Sequence, residues 1–253
     1  MLAERRHQLI LRALRSGGPA SVTDLCGQLG VSAATVRRDL VRLEEEGLLT
    51  RVHGGAIIGE GDQQGDQPFA EVVEVGVAEK DAIAVRAAAM IEDGQSVLLD
   101  IGTTAYRLAR QLHGRQLTVI TSNLVVYEEL SKEEGIELVL LGGVVRREYR
   151  SLVGFLTEDN LRQLHADWLF LGTSGVRRGG QVMDTTVIEV PVKRSMIAAG
   201  DRVVLLADER KFPGTGMAQV CGPEELDVVV TNTSADAATC AVLEEAGVTV
   251  VQT

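Results

Sequence analysis

Three groups of residues in this chain have the types and spacing to do chemistry. The first is Ser32, Thr35, Arg37, Arg38 and Arg42, on a stretch whose apolar positions Val36, Leu40 and Leu43 recur at helical spacing. At about 100° per residue those three fall on one face, with Ala34, Arg38, Val41 and Arg42 roughly opposite and Thr35 and Arg37 on the flanks. Small residues in a first turn let a helix approach base edges, and arginine bonds guanine bidentately or clamps phosphate. Arg42 has a plainer alternative, an ion pair with Glu45 or Glu46 on its own helix.

The second group is four polar or glycine-rich stretches, each following an apolar run. Asp100, Gly102, Thr103 and Thr104 precede a helix predicted from Ala105 to Leu112. A glycine followed by hydroxyls there offers free N–H groups, O–H donors and a favourable dipole to an anion. Thr121, Ser122 and Asn123 form the second stretch. Gly142 and Gly143 form the third, where a missing Cβ lets a ligand approach the backbone. Gly172, Thr173, Ser174 and Gly175 form the fourth. Taken singly, each is also ordinary turn or cap chemistry. Together they point to a phosphate-bearing ligand, because the carboxyl ends of the strands are where open α/β sheets bind ligands.

The third group is Glu189 with Lys193, four apart, and Asp208 with Lys211 after another apolar run. The first pair reads either as ligand contacts or as a surface ion pair worth about a few tenths of a kcal/mol. Pro191 is comfortable only in a first turn, so a helix is expected to begin near it. Glu189 is also a carboxylate with the chemistry of a general base.

The elements that position these groups are legible from periodicity. Leu9, Ile10, Ala13 and Leu14 recur at helical spacing between Ala3 and Leu14. Ser21 can cap a helix with Val22, Leu25 and Leu29 as its core, and Gly30 suits its C-terminal end. Ser32 caps a third helix that runs to about Glu46 and stops at Gly47. Leu48 to Ile57 has the strand, glycine turn, strand pattern of a small wing. Residues 1–57 are therefore expected to form a winged helix-turn-helix whose third helix enters a DNA groove. Residues 58–68, rich in Gly, Asp and Gln, read as a linker. A long helix is predicted from about Phe69 to Ile91. Beyond it, seven short apolar strands alternate with helical patterns: 97–100, 117–121, 136–141, 168–171, 202–207, 227–231 and 248–251. Continuous Val/Leu runs imply strands covered on both faces, so residues 69–253 are expected to form a doubly wound, mostly parallel α/β domain.

Bulk properties agree with that division. The 253 residues are 45% hydrophobic and carry a net charge of -11. The charge is uneven: up to Gly55 eight arginines meet six acidic residues, leaving -13 on the remainder. A mildly basic head on an acidic body suits local DNA contact and excludes indiscriminate nucleic-acid binding. Cys26, Cys221 and Cys240 are odd in number, far apart and without metal-ligand spacing, which suggests a reducing cytoplasm and no bound metal. No apolar run approaches the roughly 18 residues of a membrane span, and no signal-peptide core is visible at the N-terminus.

Several of these stretches resemble the signature of DeoR-type bacterial transcription regulators. They are Arg5 with Leu9, Ser32 and Thr35 through Leu40, and Arg51, Val52, His53, Gly54 and Gly55; Leu152, Val153 and Gly154 match further on. The resemblance implies that the third helix reads an operator, with Arg51 and His53 of the wing near the backbone or minor groove. It also implies a sensor domain, similar in fold to sugar-phosphate isomerases and CoA transferases, that binds a phosphorylated sugar or related metabolite. Asp100, Gly102, Thr103 and Thr104 would form the phosphate-side loop. Ser122, Asn123, Gly142, Gly143 and Ser174 would line the pocket with Glu189 and Asp208, and Lys193 and Lys211 would be its cations. The chain departs from the family's wording at Ser174, where aspartate is common, at Met183 to Thr185 and at Pro191, which implies a pocket of altered polarity. By this likeness the protein is a ligand-responsive repressor of a sugar operon and a homo-oligomer. It would need no cofactor and catalyse no reaction. The alternative is an isomerase-like enzyme carrying a DNA-binding domain.

Overall fold

A computed structural model describes residues 6, 7, 9–11, 13, 14, 20–45, 49–52, 55–57 and 69–253. The expected linker, His53, and the turn glycines Gly47 and Gly54 lie outside the described residues. The chain divides into two compact units, 1–65 and 66–253.

In the first unit, residues 6, 7, 9–11, 13 and 14 are helical (α1) and are followed by β1 (Ala20–Ser21), α2 (Val22–Leu29), α3 (Ala33–Glu45), β2 (Thr50–Val52) and β3 (Gly55–Ile57). Ser21 caps α2 in a reciprocal box with Asp24, and Gly30 ends it at φ +65°. The strands form a three-stranded sheet in the order β1-β3-β2. β1 was not expected from sequence. Gly55 makes it possible, since a Cβ there would lie 2.3 Å from the carbonyl oxygen of Ala20. Ile10, Leu14, Val22, Leu25, Leu29, Val36, Leu40, Leu43, Leu49 and Ala56 form one core, which draws on the three helices and the wing.

The second unit opens with α4 (Phe69–Val72) and α5 (Val77–Ala88). The single helix predicted over 69–91 is thus interrupted. Gly76 adopts φ +62°, a left-handed conformation that ends one helical path and starts another. There follow β4 (Ser96–Leu99), α6 (Thr103–Arg110), β5 (Leu117–Thr121), α7 (Leu124–Leu130), β6 (Ile136–Leu140), β7 (Val144–Arg146), β8 (Ser151–Val153), α8 (Phe155–Leu161) and β9 (Ala166–Gly172). The chain continues through β10 (Gly175–Val176), β11 (Val182–Asp184), α9 (Val190–Ala199), β12 (Gly200–Leu206), β13 (Ala218–Cys221), β14 (Val228–Thr231), α10 (Ala237–Glu245) and β15 (Thr249–Gln252).

Seven of these strands form one sheet in the order β15-β14-β12-β9-β4-β5-β6, parallel throughout. They are the seven apolar runs read from the sequence. Alternate residues serve two cores, as the two-residue period of a strand requires. Leu98, Ile120, Leu169 and Leu205 pack with α8, α9 and α10, whereas Val97, Val119, Phe170 and Val204 pack with α5, α6 and α7. Two antiparallel additions, the hairpin β7–β8 and the sheet β10-β11-β13, complete the unit. α6 begins two residues earlier than predicted, which draws Thr103 and Thr104 into its first turn.

Candidate functional site

In the first unit, the face expected to meet DNA is open. Ser32, Arg37, Arg38 and Arg42 are exposed and Thr35 is half-buried, while Val36, Leu40 and Leu43 are buried. The amide of Thr35 donates to Ser32 Oγ at 3.3 Å, and the two hydroxyls lie 2.9 Å apart, so both serve the start of α3 as well as its surface. Arg51 lies on β2. Next to Arg38 on α3 is Asp39, 6% exposed, to which the sequence assigned no separate role. Its carboxylate accepts from Arg6 (2.5 and 2.9 Å) and lies 3.1 Å from His7 Nε2, which pins α1 to α3. The Arg6 bond outweighs the cost of burial and holds the Asp39 carboxyl below the usual carboxylate range.

In the second unit, the strand ends bring the remaining candidates together. Lys193, 2% exposed on α9, donates to the carboxylate of Asp100 and, at 3.0 Å, to the carbonyl of Gly172; Asp184 lies 3.5 Å from its ammonium. Burial works against the charge of Lys193, but the carboxylates of Asp100 and Asp184 outweigh it and hold the ammonium above its ordinary range. Asp100 also accepts from the amide of Gly172 at 2.8 Å. Beside this pair, Gly102 takes φ +101° and leads into α6 with no side chain capping the helix. A Cβ on Gly102 would meet no atom within 4 Å, so the space beside this loop is open.

Glu189, also 2% exposed, does not pair with Lys193 on a surface as the i,i+4 alternative had it. Its Oε1 accepts from Arg146 of β7 at 2.5 Å and from Ser151 of β8 at 2.8 Å. Burial raises its pKa, and the Arg146 bond offsets this only in part. The hairpin that supplies both partners docks on the second stretch, since Leu152 donates its amide to the carbonyl of Ser122 at 2.9 Å. Ser122 Oγ is buried without a hydrogen-bond partner. Asn123 caps α7 by accepting from Val125 and Val126.

Other candidates are already engaged by protein atoms. Gly142 donates to Asn160 Oδ1 at 2.9 Å and accepts from Thr157 Oγ1 at 2.7 Å. A Cβ on Gly143 would lie 2.2 Å from that Thr157 oxygen, so this glycine makes room for α8. Ser174 Oγ lies 3.1 Å from Thr185 Oγ1 and accepts the Thr185 amide. Asp208 is 1% exposed and holds the guanidinium of Arg210 through two bonds, at 2.9 and 2.8 Å. Burial lowers Lys211 to a pKa of about 8, against the opposing charge of Asp208. Helix α9 starts at Val190 with Pro191 in its first turn, as expected.

Sequence reasoning missed Arg146, Ser151, Asp184 and Lys80 as neighbours of the site. All but Lys80 sit on short antiparallel strands that leave no periodic signal. Among the described residues, no group of three or more His, Cys, Asp or Glu side chains is placed to hold a metal ion, and no helix is long and apolar enough to cross a membrane. The three cysteines are free, and burial pushes the Cys221 thiol up to about 12.

Comparison with known proteins covers both units. Residues 6–61 match the DeoR-like helix-turn-helix domain, and residues 76–233 match the DeoR C-terminal sensor domain. The chain is 34% identical to the HTH-type transcriptional repressor GlcR of Bacillus subtilis over 98% of its own length and 95% of the relative's. It is 31% identical to the HTH-type transcriptional regulator GolR of Listeria innocua, over 99% and 98%. It is also 31% identical to the glycerol-3-phosphate regulon repressor of Escherichia coli, over 92% of each chain. Among solved structures, ribose 5-phosphate isomerase A of Methanocaldococcus jannaschii aligns over 52% of each chain at 18% identity, with a TM-score of 0.39. With both domains matched in order and relatives similar over nearly their full length, the chain belongs to the DeoR family of transcriptional regulators.

Proposed function

We propose that the protein represses a sugar-catabolism operon and releases its operator when a phosphorylated sugar or related metabolite binds the sensor unit. One observation carries the ligand half of this reading: an open, uncapped helix start at Gly102 lies beside the buried Asp100–Lys193 pair. Such a start offers N–H groups to a phosphate. Ser122 adds a buried hydroxyl with no protein partner. Lys211 supplies a cation, and Thr103 and Thr104 supply hydroxyls. Asn123, Gly142, Gly143, Ser174, Glu189 and Asp208 shape the surrounding wall. Relatives named as repressors, one of them of a glycerol-3-phosphate regulon, support the same assignment.

For the DNA half, Ser32, Thr35, Arg37, Arg38 and Arg42 of the third helix contact the operator, with Arg51 and His53 on the wing. Residues 1–57 read DNA, 58–68 link, and 69–253 bind the effector and assemble the oligomer, in the cytoplasm. Two copies are needed to place two recognition helices on half-sites about one helical turn apart. The effector must bind the DNA-competent and incompetent states unequally, and its preference is for the incompetent one.

The test is footprinting of the DNA upstream of the neighbouring sugar operon, followed by a mobility-shift titration with phosphorylated trioses, pentoses and hexoses. At least one is expected to release the DNA, and Thr103→Ala is expected to abolish that release in a folded protein. If none alters DNA binding, the reading fails. A second reading, sugar-phosphate isomerisation, has one observation in its favour: Glu189 is a buried carboxyl with a raised pKa, as a general base requires. Turnover of any of these sugars by the purified protein would establish that reading; saturable binding without turnover is expected.

A further inference from the structure

The first segment of the sensor unit, 69–75, is held in an unusual way. Three of its main-chain carbonyls accept from three cationic side chains. Val72 O accepts from Lys80 Nζ at 3.3 Å, Val73 O from Arg107 Nη2 at 2.8 Å, and Val75 O from Arg210 Nη2 at 3.5 Å. Lys80 and Arg107 are 5% and 4% exposed. Lys80 donates to a neutral carbonyl, while Arg107 also donates through Nη1 to the Asp81 carboxylate at 2.8 Å, so the Val73 carbonyl holds only one side of its guanidinium. At its other end, the Phe69 amide donates to the carbonyl of Glu148 at 2.9 Å, and the Phe69 ring meets Tyr106 edge-on at 5.8 Å.

All of these anchors except Lys80, which lies on α5, come from elements of the ligand edge. Tyr106 and Arg107 are on α6, the helix that starts at Gly102 and Thr103. Glu148 is in the hairpin whose Arg146 and Ser151 hold Glu189. Arg210 is gripped by Asp208 and is next to Lys211 in the chain. Gly76 completes the arrangement, because a Cβ there would lie 2.0 Å from Arg210 Nη2.

We propose that Lys80, Arg107 and Arg210 form an anion-responsive clasp on 69–75, and that a phosphoryl or carboxylate group bound at the Asp208–Lys211 edge competes for these cations and loosens the segment. The competition has a physical basis: a charged oxygen is a much stronger acceptor for a guanidinium or ammonium than a neutral carbonyl. Lys80 is near enough to Asp208, Arg210 and Lys211 to feel their charges, and burial lowers its pKa to about 8, only partly offset by Asp208. A ligand anion would relieve that shortage of negative charge, which a carbonyl cannot do. Since 69–75 follows directly on the residues that lead from the DNA-binding unit, its release is the step that carries occupancy towards the operator. The clasp rests on the effector reading above for its trigger, though not for its existence.

The test is amide exchange at 69–76 in the full chain, with operator affinity measured on the footprinted duplex. Arg210→Met removes one jaw at an exposed position. Gly76→Ala displaces the same guanidinium without changing charge. Both are expected to speed exchange at 69–76 at least tenfold and to change operator affinity at least fivefold. Because Arg210→Met leaves the buried Asp208 without its guanidinium and alanine at φ +62° is strained, exchange at 69–76 is read against the rest of the sensor unit, where the increase is expected to be at least threefold smaller. Arg210→Lys is expected to be intermediate. Glycerol 3-phosphate and inorganic phosphate serve as probes, and one that binds by calorimetry is expected to speed the same amides in the unmodified chain. Unchanged exchange in both variants overturns the clasp, as does faster exchange with unchanged operator affinity, or a bound probe that leaves these amides protected. If neither probe binds while the variants behave as stated, the anion trigger and the phosphate-effector reading are both overturned, and only the holding of 69–75 by the three cations stands.

Discussion

Lys193 is buried against the carboxylate of Asp100 and, through the Gly172 carbonyl, ties the ends of β4 and β9 together under α9. A buried pair of this kind is costly to break on one side, since the survivor keeps its charge without compensation. Lys193→Met is expected to destabilise the sensor unit by about 3–5 kcal/mol. Asp100→Asn should cost less, because Asp184 remains beside the ammonium. The double variant should recover much of the loss, as chemical denaturation of the three proteins would show. Additive losses would mean that the two side chains do not act as a pair.

The position of this pair shows what the sequence could and could not disclose. The parallel strands were legible because the inner five are largely buried on both faces and read as Val/Leu/Ile-rich runs, and the half-exposed edge strands β6 and β15 keep enough apolar residues to read the same way. The face of α3 was legible because Val36, Leu40 and Leu43 keep a helical period. Asp100 and Lys193 were each singled out, but nothing in their spacing joins residues that only the order of β4, β9 and α9 brings together. The i,i+4 spacing of Glu189 and Lys193 pointed instead to each other, and the structure gives them different partners. Arg146 and Ser151 carry no signal because β7 and β8 are three residues long and have no period to read, and Asp184, within the stretch Met183 to Thr185 that departs from the family's wording, shows nothing in sequence of its place beside Lys193. Gly76 was read through as helix because a lone glycine in a helical pattern is tolerated, and only its positive φ reveals the break.

Arg37 and Arg38 are exposed on α3 and contribute nothing to its core. Substituting either by alanine should therefore leave the fold intact and weaken operator binding by roughly 10- to 100-fold. Titration at several salt concentrations separates their roles. A phosphate contact lowers the salt slope by about 1 and affects all sequences alike, whereas a base contact relaxes specificity at one position. Unaltered binding in both variants would remove α3 as the reading helix.

Asp39 links α3 to α1 through Arg6 and His7, so Asp39→Asn should loosen the DNA-binding unit and leave the sensor unit alone. A loss of about 5 °C or more in the melting midpoint of residues 1–65 is expected, with weaker operator binding that follows from it. The pH dependence has a definite sign. The Asp39 carboxyl lies lower in the folded unit than its unfolded value of about 3.9, so its stabilisation is present above that value and is lost as pH falls through the folded one. Acid titration of Asp39→Asn should accordingly be flatter than that of the unmodified protein below about pH 4.

Lys80 and Lys211 give the ligand edge a titration near neutrality, because burial lowers each to a pKa of about 8. Between that value and the unfolded one of about 10.4, the unfolded chain holds more protons, so stability rises with pH across this window. Affinity for an anionic effector should move the other way. Both ammonium groups are charged below pH 8 and discharge above it, so binding of the active sugar phosphate should weaken as pH goes from 7 to 9. A bound phosphate would itself raise both lysine pKa values, so complex formation near pH 8 should take up protons. Calorimetry in buffers of different ionisation enthalpy measures that uptake directly. Lys211→Met should remove part of it, and affinity that stays flat across the window would show that neither lysine faces the ligand.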